Sequence, residues 1–193
     1  MRIISGEFGG IRFQPPAKTP ARPTTDLAKE GLFNILENLI SLDGISSLDL
    51  FAGTGSISYE LASRGADSLT LVERDGGNLG FIRQMMARLG VEDRFNLRGM
   101  DVFRYLREAE GPFDFIFAGP PYALKNIDDI PRLVLQNNLL AVEGIFVLEH
   151  TPKNAYENHP GFFRKTNYGT TVFSFFRPQN VDDEKTSTIS RDL

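Results

Sequence analysis

The 193-residue sequence contains no cysteine. Disulfides, zinc–thiolate sites and cysteine nucleophiles are therefore excluded, which fits a reducing compartment. Long hydrophobic runs are missing too. No apolar stretch approaches the roughly 18 residues of a membrane span, and Met1-Arg2-Ile3-Ile4 has no signal-peptide core, so a cytoplasmic protein without a membrane partner is expected. Positive charge is in short supply, with 21 Lys and Arg against 25 Asp and Glu and a formal net charge of −4. That total argues against a polyanionic partner, but its distribution does not. Residues 1–25 hold Arg2, Arg12, Lys18 and Arg22 against Glu7 alone, whereas residues 179–193 are dominated by Asp182, Asp183, Glu184 and Asp192. Local charge decides what a surface attracts, so the basic arm is a candidate for phosphate contacts or, equally, a solvated face.

What is present is centred on Ser47-Leu48-Asp49-Leu50-Phe51-Ala52-Gly53-Thr54-Gly55-Ser56-Ile57. An apolar run carrying an acid ends in two glycines and turns helical. Glycine at 53 and 55 lets a ligand approach the backbone, and the free N–H groups opening the helix face the same crevice. Twenty residues after Gly53, Glu73 ends a second apolar run, at the spacing of an acid that accepts hydrogen bonds from ribose hydroxyls. A dinucleotide fingerprint would want a small third residue where Ser58 stands, and Asp49 would repel a pyrophosphate. S-adenosylmethionine, with an ammonium, a sulfonium and a ribose but no phosphate, suits the site better.

With 41% hydrophobic residues the chain is long enough for one full core. We expect residues 1–23 to form a hairpin and basic arm, 24–178 the main domain, and 179–193 a disordered tail. The hairpin is read from Arg2–Ser5 and Ile11–Gln14 around a glycine-rich turn. A helix is expected from Thr24-Thr25-Asp26 to near Ile40, followed by helices at 56–63, 78–89, 101–106 and 130–140. Strands are expected at 47–50, 69–73, 94–98, 113–118 and 144–149, then a hairpin of 162–166 with 171–177 about Tyr168-Gly169. The alternation predicts an α/β fold, a mostly parallel seven-stranded sheet with one antiparallel strand near its edge.

In such a sheet ligands sit beyond the carboxyl ends of the strands, where Asp49, Glu73, Asp101 and Gly119 all fall. Asp101 is placed to accept the adenine amino hydrogens and equally to cap the following helix. Gly119-Pro120-Pro121-Tyr122 is the most informative short motif. Its prolines restrict the backbone so that carbonyl oxygens keep their direction, and Tyr122 offers a flat face to an extruded base. His150 reads as a structural histidine, His159 as a loop residue, and Phe162, Phe163, Phe173, Phe175 and Phe176 as strand core.

Over Met1 to about Pro178 the chain resembles the bacterial S-adenosylmethionine-dependent methyltransferases that modify N2 of a guanine in 16S ribosomal RNA. The resemblance rests on Arg2-Ile3-Ile4-Ser5-Gly6, on Arg22-Pro23-Thr24-Thr25-Asp26 leading into Leu32-Phe33-Asn34, on Leu48 through Gly55, and on the Pro-Pro-Tyr loop. It implies a Rossmann-like class I methyltransferase fold, with S-adenosylmethionine held by Asp49, Phe51, Ala52, Gly53, Thr54, Gly55, Glu73 and Asp101. It implies catalysis at Gly119, Pro120, Pro121 and Tyr122, and RNA contacts from Arg2, Arg12, Lys18, Arg22, Thr24 and Thr25. The implied substrate is the small ribosomal subunit or its precursor, with no metal. One departure falls on the catalytic loop, where the family pattern begins with Asp and this chain has Gly119. In the family that acid accepts a hydrogen bond from the target amine. Restoring it with Gly119→Asp is thus expected to speed transfer.

Three other functions share parts of this pattern. An amino methyltransferase acting on DNA adenine or protein glutamine would carry Asn-Pro-Pro-Tyr and lacks the Arg-Pro-Thr-Thr-Asp segment. A binding-only RNA or ribosome-assembly homologue would keep fold and arm while losing chemistry at Gly119. A dinucleotide oxidoreductase conflicts with Asp49 and Ser58.

Overall fold

The computed structural model describes residues 1–16 and 24–179. In chain order these form α1 (Asp26–Leu36), β1 (Ser46–Leu50), α2 (Ser56–Ser63), β2 (Ser68–Glu73) and α3 (Gly76–Leu89). A 3₁₀ turn (Glu92–Arg94) leads to β3 (Phe95–Gly99), α4 (Val102–Glu108), β4 (Phe113–Ala118) and α5 (Asp129–Gln136). The chain ends in β5 (Leu140–His150), β6 (Phe162–Tyr168) and β7 (Thr171–Phe176). The strands lie in the order β3-β2-β1-β4-β5-β7-β6. The first five are mutually parallel, and β7 runs antiparallel to both β5 and β6. The expected α/β architecture is therefore present. After β1 the chain builds β2 and β3 on one side and then crosses to β4 on the other. That crossing opens a crevice between the carboxyl ends of β1 and β4.

Side chains alternate across each strand, and both faces are covered, as a parallel sheet requires. Leu48, Leu50, Ile116, Ala118 and Leu148 pack with Val102, Leu106, Ile130 and Val134 of α4 and α5. Leu69, Leu71, Phe115, Phe117 and Val147 pack with Leu32, Phe33, Ile57, Leu61 and Ile82 of α1, α2 and α3. Asp49, flanked by Leu48 and Leu50, consequently points at α2. It is 2% exposed.

Element ends depart from the sequence reading where local geometry overrides periodicity. The helix expected over 130–140 stops at Gln136 because Asn138 adopts φ 53°. The N–H of Leu139 then bonds Val134 O at 3.3 Å and that of Asn138 bonds Leu135 O at 3.4 Å, a Schellman closure that frees Leu140 to begin β5. Helix α1 likewise ends at Leu36, and the residues to Ile40 continue only as hydrogen-bonded turns.

The N-terminal hairpin is reduced to a single antiparallel bridge between Arg2 and Arg12. Three backbone bonds reinforce it, from Ile3 N to Ile11 O, Gly10 N to Ile3 O and Phe13 N to Met1 O. Two strands this short are not stable alone, and this pair is fastened to α2. Ile3 and Phe13 are buried, and Phe13 meets Tyr59 edge-on at 5.4 Å. Glu60 accepts from the N–H groups of Ile4 at 2.7 Å and Ser5 at 3.1 Å. Lys29, fully buried, donates to Arg2 O at 2.6 Å and to Ser56 Oγ at 3.2 Å, with Glu60 Oε2 at 3.5 Å. Burial pulls the Lys29 ammonium below its ordinary pKa, opposed by the Glu60 carboxylate. Among the described residues no helix is long and apolar enough to cross a membrane.

Candidate active site

The crevice at the carboxyl ends of β1 and β4 holds a cavity of about 290 Å³. Its floor is the turn after β1. Phe51, a non-glycine residue at φ 62°, begins that turn, and Gly53 and Gly55 follow at φ 56° and 82°. A Cβ on Gly53 would meet only Phe51 O at 3.9 Å, whereas one on Gly55 would lie 2.7 Å from the Tyr59 ring. Gly53 thus faces open space for a ligand, and Gly55 is required by the packing of α2 against the turn. Asp49, Phe51, Ala52, Gly53 and Thr54 all line the cavity, whereas Gly55 does not.

Asp49 is the electrostatic centre of this floor. Its Oδ2 accepts from Ser58 Oγ at 2.7 Å. Burial pushes its carboxyl up to about 7, with the Glu73 charge adding and the Ser58 hydrogen bond opposing. Among the described residues, the cavity walls carry two acids, Asp49 and Glu149, and no lysine or arginine. Acids suit a cation, so the donor set fits an ammonium-bearing ligand such as S-adenosylmethionine.

Glu73 and Asp101 stand outside the cavity. Glu73 is turned onto the glycine turn, its Oε2 accepting from Gly53 N at 2.7 Å and its Oε1 from Arg74 N and Asp75 N at 2.8 Å each. Asp101 caps α4 by accepting from Arg104 N at 3.1 Å, and Arg74 lies 3.9 Å from its other oxygen. The Phe51 ring, which lines the cavity, packs against Phe103 of α4 at 6.4 Å.

The opposite wall is the loop after β4. Gly119, Pro120, Pro121 and Tyr122 all line the cavity. Tyr122 is 40% exposed, with its hydroxyl donating to Glu149 Oε1 at 3.2 Å and 3.3 Å from Thr171 Oγ1. Thr24 enters the same wall and donates to Glu149 Oε2 at 2.6 Å. Glu149 was missed in the sequence. It ends an apolar run as Glu73 does, and that placement was the available signal. The Met1 side chain also reaches this cavity, 3.7 Å from Thr54 Oγ1, with nothing in the sequence to foretell it.

The remaining residues singled out from sequence fall elsewhere. Arg2 lies 3.8 Å from Asp26 and 3.9 Å from Glu30, Arg12 is exposed, and Thr25 caps α1 by accepting from Ala28 N at 3.2 Å. Lys18 and Arg22 lie outside the described residues. His150 is buried against Thr151 O and Ser174 Oγ, a structural role as read, with its pKa lowered by burial. His159 is a loop residue as read, half-buried with its ring edge-on to Phe176 at 5.4 Å. Phe173, Phe175 and Phe176 are core, while Phe163 is 38% exposed beneath Arg177.

The family model described as "Conserved hypothetical protein 95" matches residues 1–177. The chain belongs to that family. YlbH of Bacillus subtilis (strain 168), provisionally named an rRNA methyltransferase, is 31% identical over 183 residues, covering 92% of this chain and 98% of YlbH. Ribosomal RNA small subunit methyltransferase D of Escherichia coli (strain K12) is 30% identical over 162 residues, covering 83% and 79%. Among solved structures, the Escherichia coli protein yhhF, provisionally named a methyltransferase, superposes with a TM-score of 0.80 at 25% identity, over 93% of this chain and 99% of that one. The fold of this family member is thus the Rossmann-like methyltransferase fold, and the resemblance drawn from its motifs is borne out.

Proposed function

We propose that the protein is an S-adenosylmethionine-dependent RNA methyltransferase that modifies N2 of a guanine in the 16S RNA of the small ribosomal subunit or its precursor. The observation that carries this reading is the buried carboxylate of Asp49 facing, across one cavity, the Pro120-Pro121-Tyr122 loop. The names of the two relatives support rRNA as the substrate class.

The cofactor would supply an electrophilic methyl group on a sulfonium. On the protein side, Asp49 would hold the ammonium, and the Gly53 turn with Phe51, Ala52, Thr54 and Gly55 would seat the ligand against the backbone. Glu73 would receive the ribose hydroxyls by exchanging its bond with Gly53 N–H, and Asp101 would take the adenine amine at the rim. Pro120 and Pro121 would fix the loop so that its carbonyls face the target amine, and Tyr122 would present its ring to the extruded base. Arg2, Arg12, Lys18, Arg22, Thr24 and Thr25 would carry the RNA backbone, the charged ones by counterion release.

Mass-spectrometric mapping of methylated guanines in 16S RNA from a deletion strain tests the reading. One guanine should lose its N2 methyl group and regain it when the purified protein and S-adenosylmethionine are added to particles from that strain. An unchanged map, or transfer only to adenine or protein, would overturn it.

A further inference from the structure

Resting on that reading, we infer that Glu149, at the end of β5, is the hydrogen-bond acceptor and proton acceptor for the target amine, in place of the acid that Gly119 lacks. The two positions are neighbours in space. A Cβ on residue 119 would lie 4.0 Å from Glu149 Oε2 and 3.0 Å from Phe117 Cε1. The Phe117 ring would have to give by a few tenths of an ångström to admit a side chain at 119, while the Glu149 carboxylate already reaches the same patch of cavity wall from the adjacent strand. The pairing of Phe117 with Val147 and of Ala118 with Leu148 sets the ends of β4 and β5 side by side.

Glu149 is held for this task. It is 5% exposed, its Oε2 accepts from Thr24 Oγ1 at 2.6 Å, and its Oε1 accepts from Tyr122 Oη at 3.2 Å. A carboxylate accepts several hydrogen bonds at once, and Thr24 and Tyr122 are two of the groups that orient this one. Through Tyr122 it also touches the side chain expected to stack on the base. Asp49, the other acid of the cavity, faces α2 through Ser58 and belongs to the cofactor end.

The amine presents one N–H to Glu149. As its lone pair forms the new nitrogen–carbon bond, the carbon–sulfur bond breaks and its electron pair stays on sulfur. The amine then releases one proton, which the Glu149 carboxylate takes and passes to solvent. Such a group contributes roughly 10²–10⁴-fold to a rate.

The test uses the full chain and small-subunit particles reconstituted with guanine, or with inosine, which lacks the amine, at the mapped position. In the presence of S-adenosylhomocysteine, wild type should bind guanine particles about tenfold or more tighter than inosine particles, as for a hydrogen bond to a charged group, and E149Q should lose that preference while binding S-adenosylhomocysteine normally. In single turnover E149Q should be slower by about 10²-fold, and the double variant G119D/E149Q should recover at least about a tenth of the wild-type rate, because its new carboxylate reaches the same patch. Equal wild-type binding of guanine and inosine particles, which needs no variant, or an undiminished E149Q rate overturns the assignment. Wild type that methylates no guanine in any particle overturns the functional reading itself, and the assignment with it.

Discussion

At the scale of single residues, the acids at the strand ends do different work because their surroundings differ. Asp49 is buried and raised to about 7, so the folded protein holds a proton that the unfolded chain releases near pH 4. Its contribution to stability therefore falls as pH rises from about 4 to about 7, by up to about 4 kcal/mol, and the full cost stands above pH 7. We expect D49N to melt higher than wild type at pH 8 and to match it near pH 4, as read by thermal unfolding. A cationic ligand needs the ionised form. Affinity for S-adenosylhomocysteine, which keeps the ammonium, should rise about tenfold per pH unit up to about pH 7 and then level off, with one proton released in calorimetry below that point. A flat profile would detach Asp49 from the ammonium. Position 119 gives the opposite lesson. From sequence, Gly119→Asp alone restores an acid. In the structure that acid arrives beside Phe117 and Glu149, so G119D in the wild-type background should gain little or lose rate, and its benefit should surface only when Glu149 is neutralised.

Among the elements, the glycine turn and α2 separate ligand approach from packing. Gly53→Ala meets open space, so it should cost about 1 kcal/mol in stability for its left-handed backbone while weakening cofactor binding by filling the cradle. Gly55→Ala drives a methyl into Tyr59 and should cost clearly more stability. Denaturant unfolding beside calorimetry distinguishes the two, and equal stability losses would refute the division. How much of this was legible follows from the range of the interactions. Asp49, the glycine turn and the Pro-Pro-Tyr loop announce themselves because chain neighbours create them. Glu149 did not, since its role depends on β5 settling against β4 and on Thr24, 125 residues earlier, reaching its carboxylate. Lys29 was equally hidden. Nothing in a helical repeat says that a lysine on α1 will be fully buried beneath Arg2 O and Ser56.

Across the whole molecule, an acidic chain with a basic arm should bind its RNA in a salt-dependent way despite a net charge of −4. Each arginine or lysine that meets a phosphate adds about 0.7–0.9 to the slope of log affinity against log salt. Neutralising Arg12 and Lys18 together should therefore lower the slope by about 1–2, and an unchanged slope would return both to the solvated surface.

The fastening of the N-terminal residues also bears on the order in which the protein is made. Ile4 and Ser5 find their acceptor in Glu60, and Phe8 finds its own in Ser63, 55 or 56 residues further along. During synthesis this segment must wait, unpaired, until α2 follows it. Its partner helix in turn carries Glu60 and receives Lys29, charges that are buried only if that segment returns. Removing one partner of such a buried pair costs about 3–5 kcal/mol. Nascent chains arrested before Ser63 has emerged should accordingly leave residues 1–13 open to protease, and chains arrested well beyond β5 should protect them.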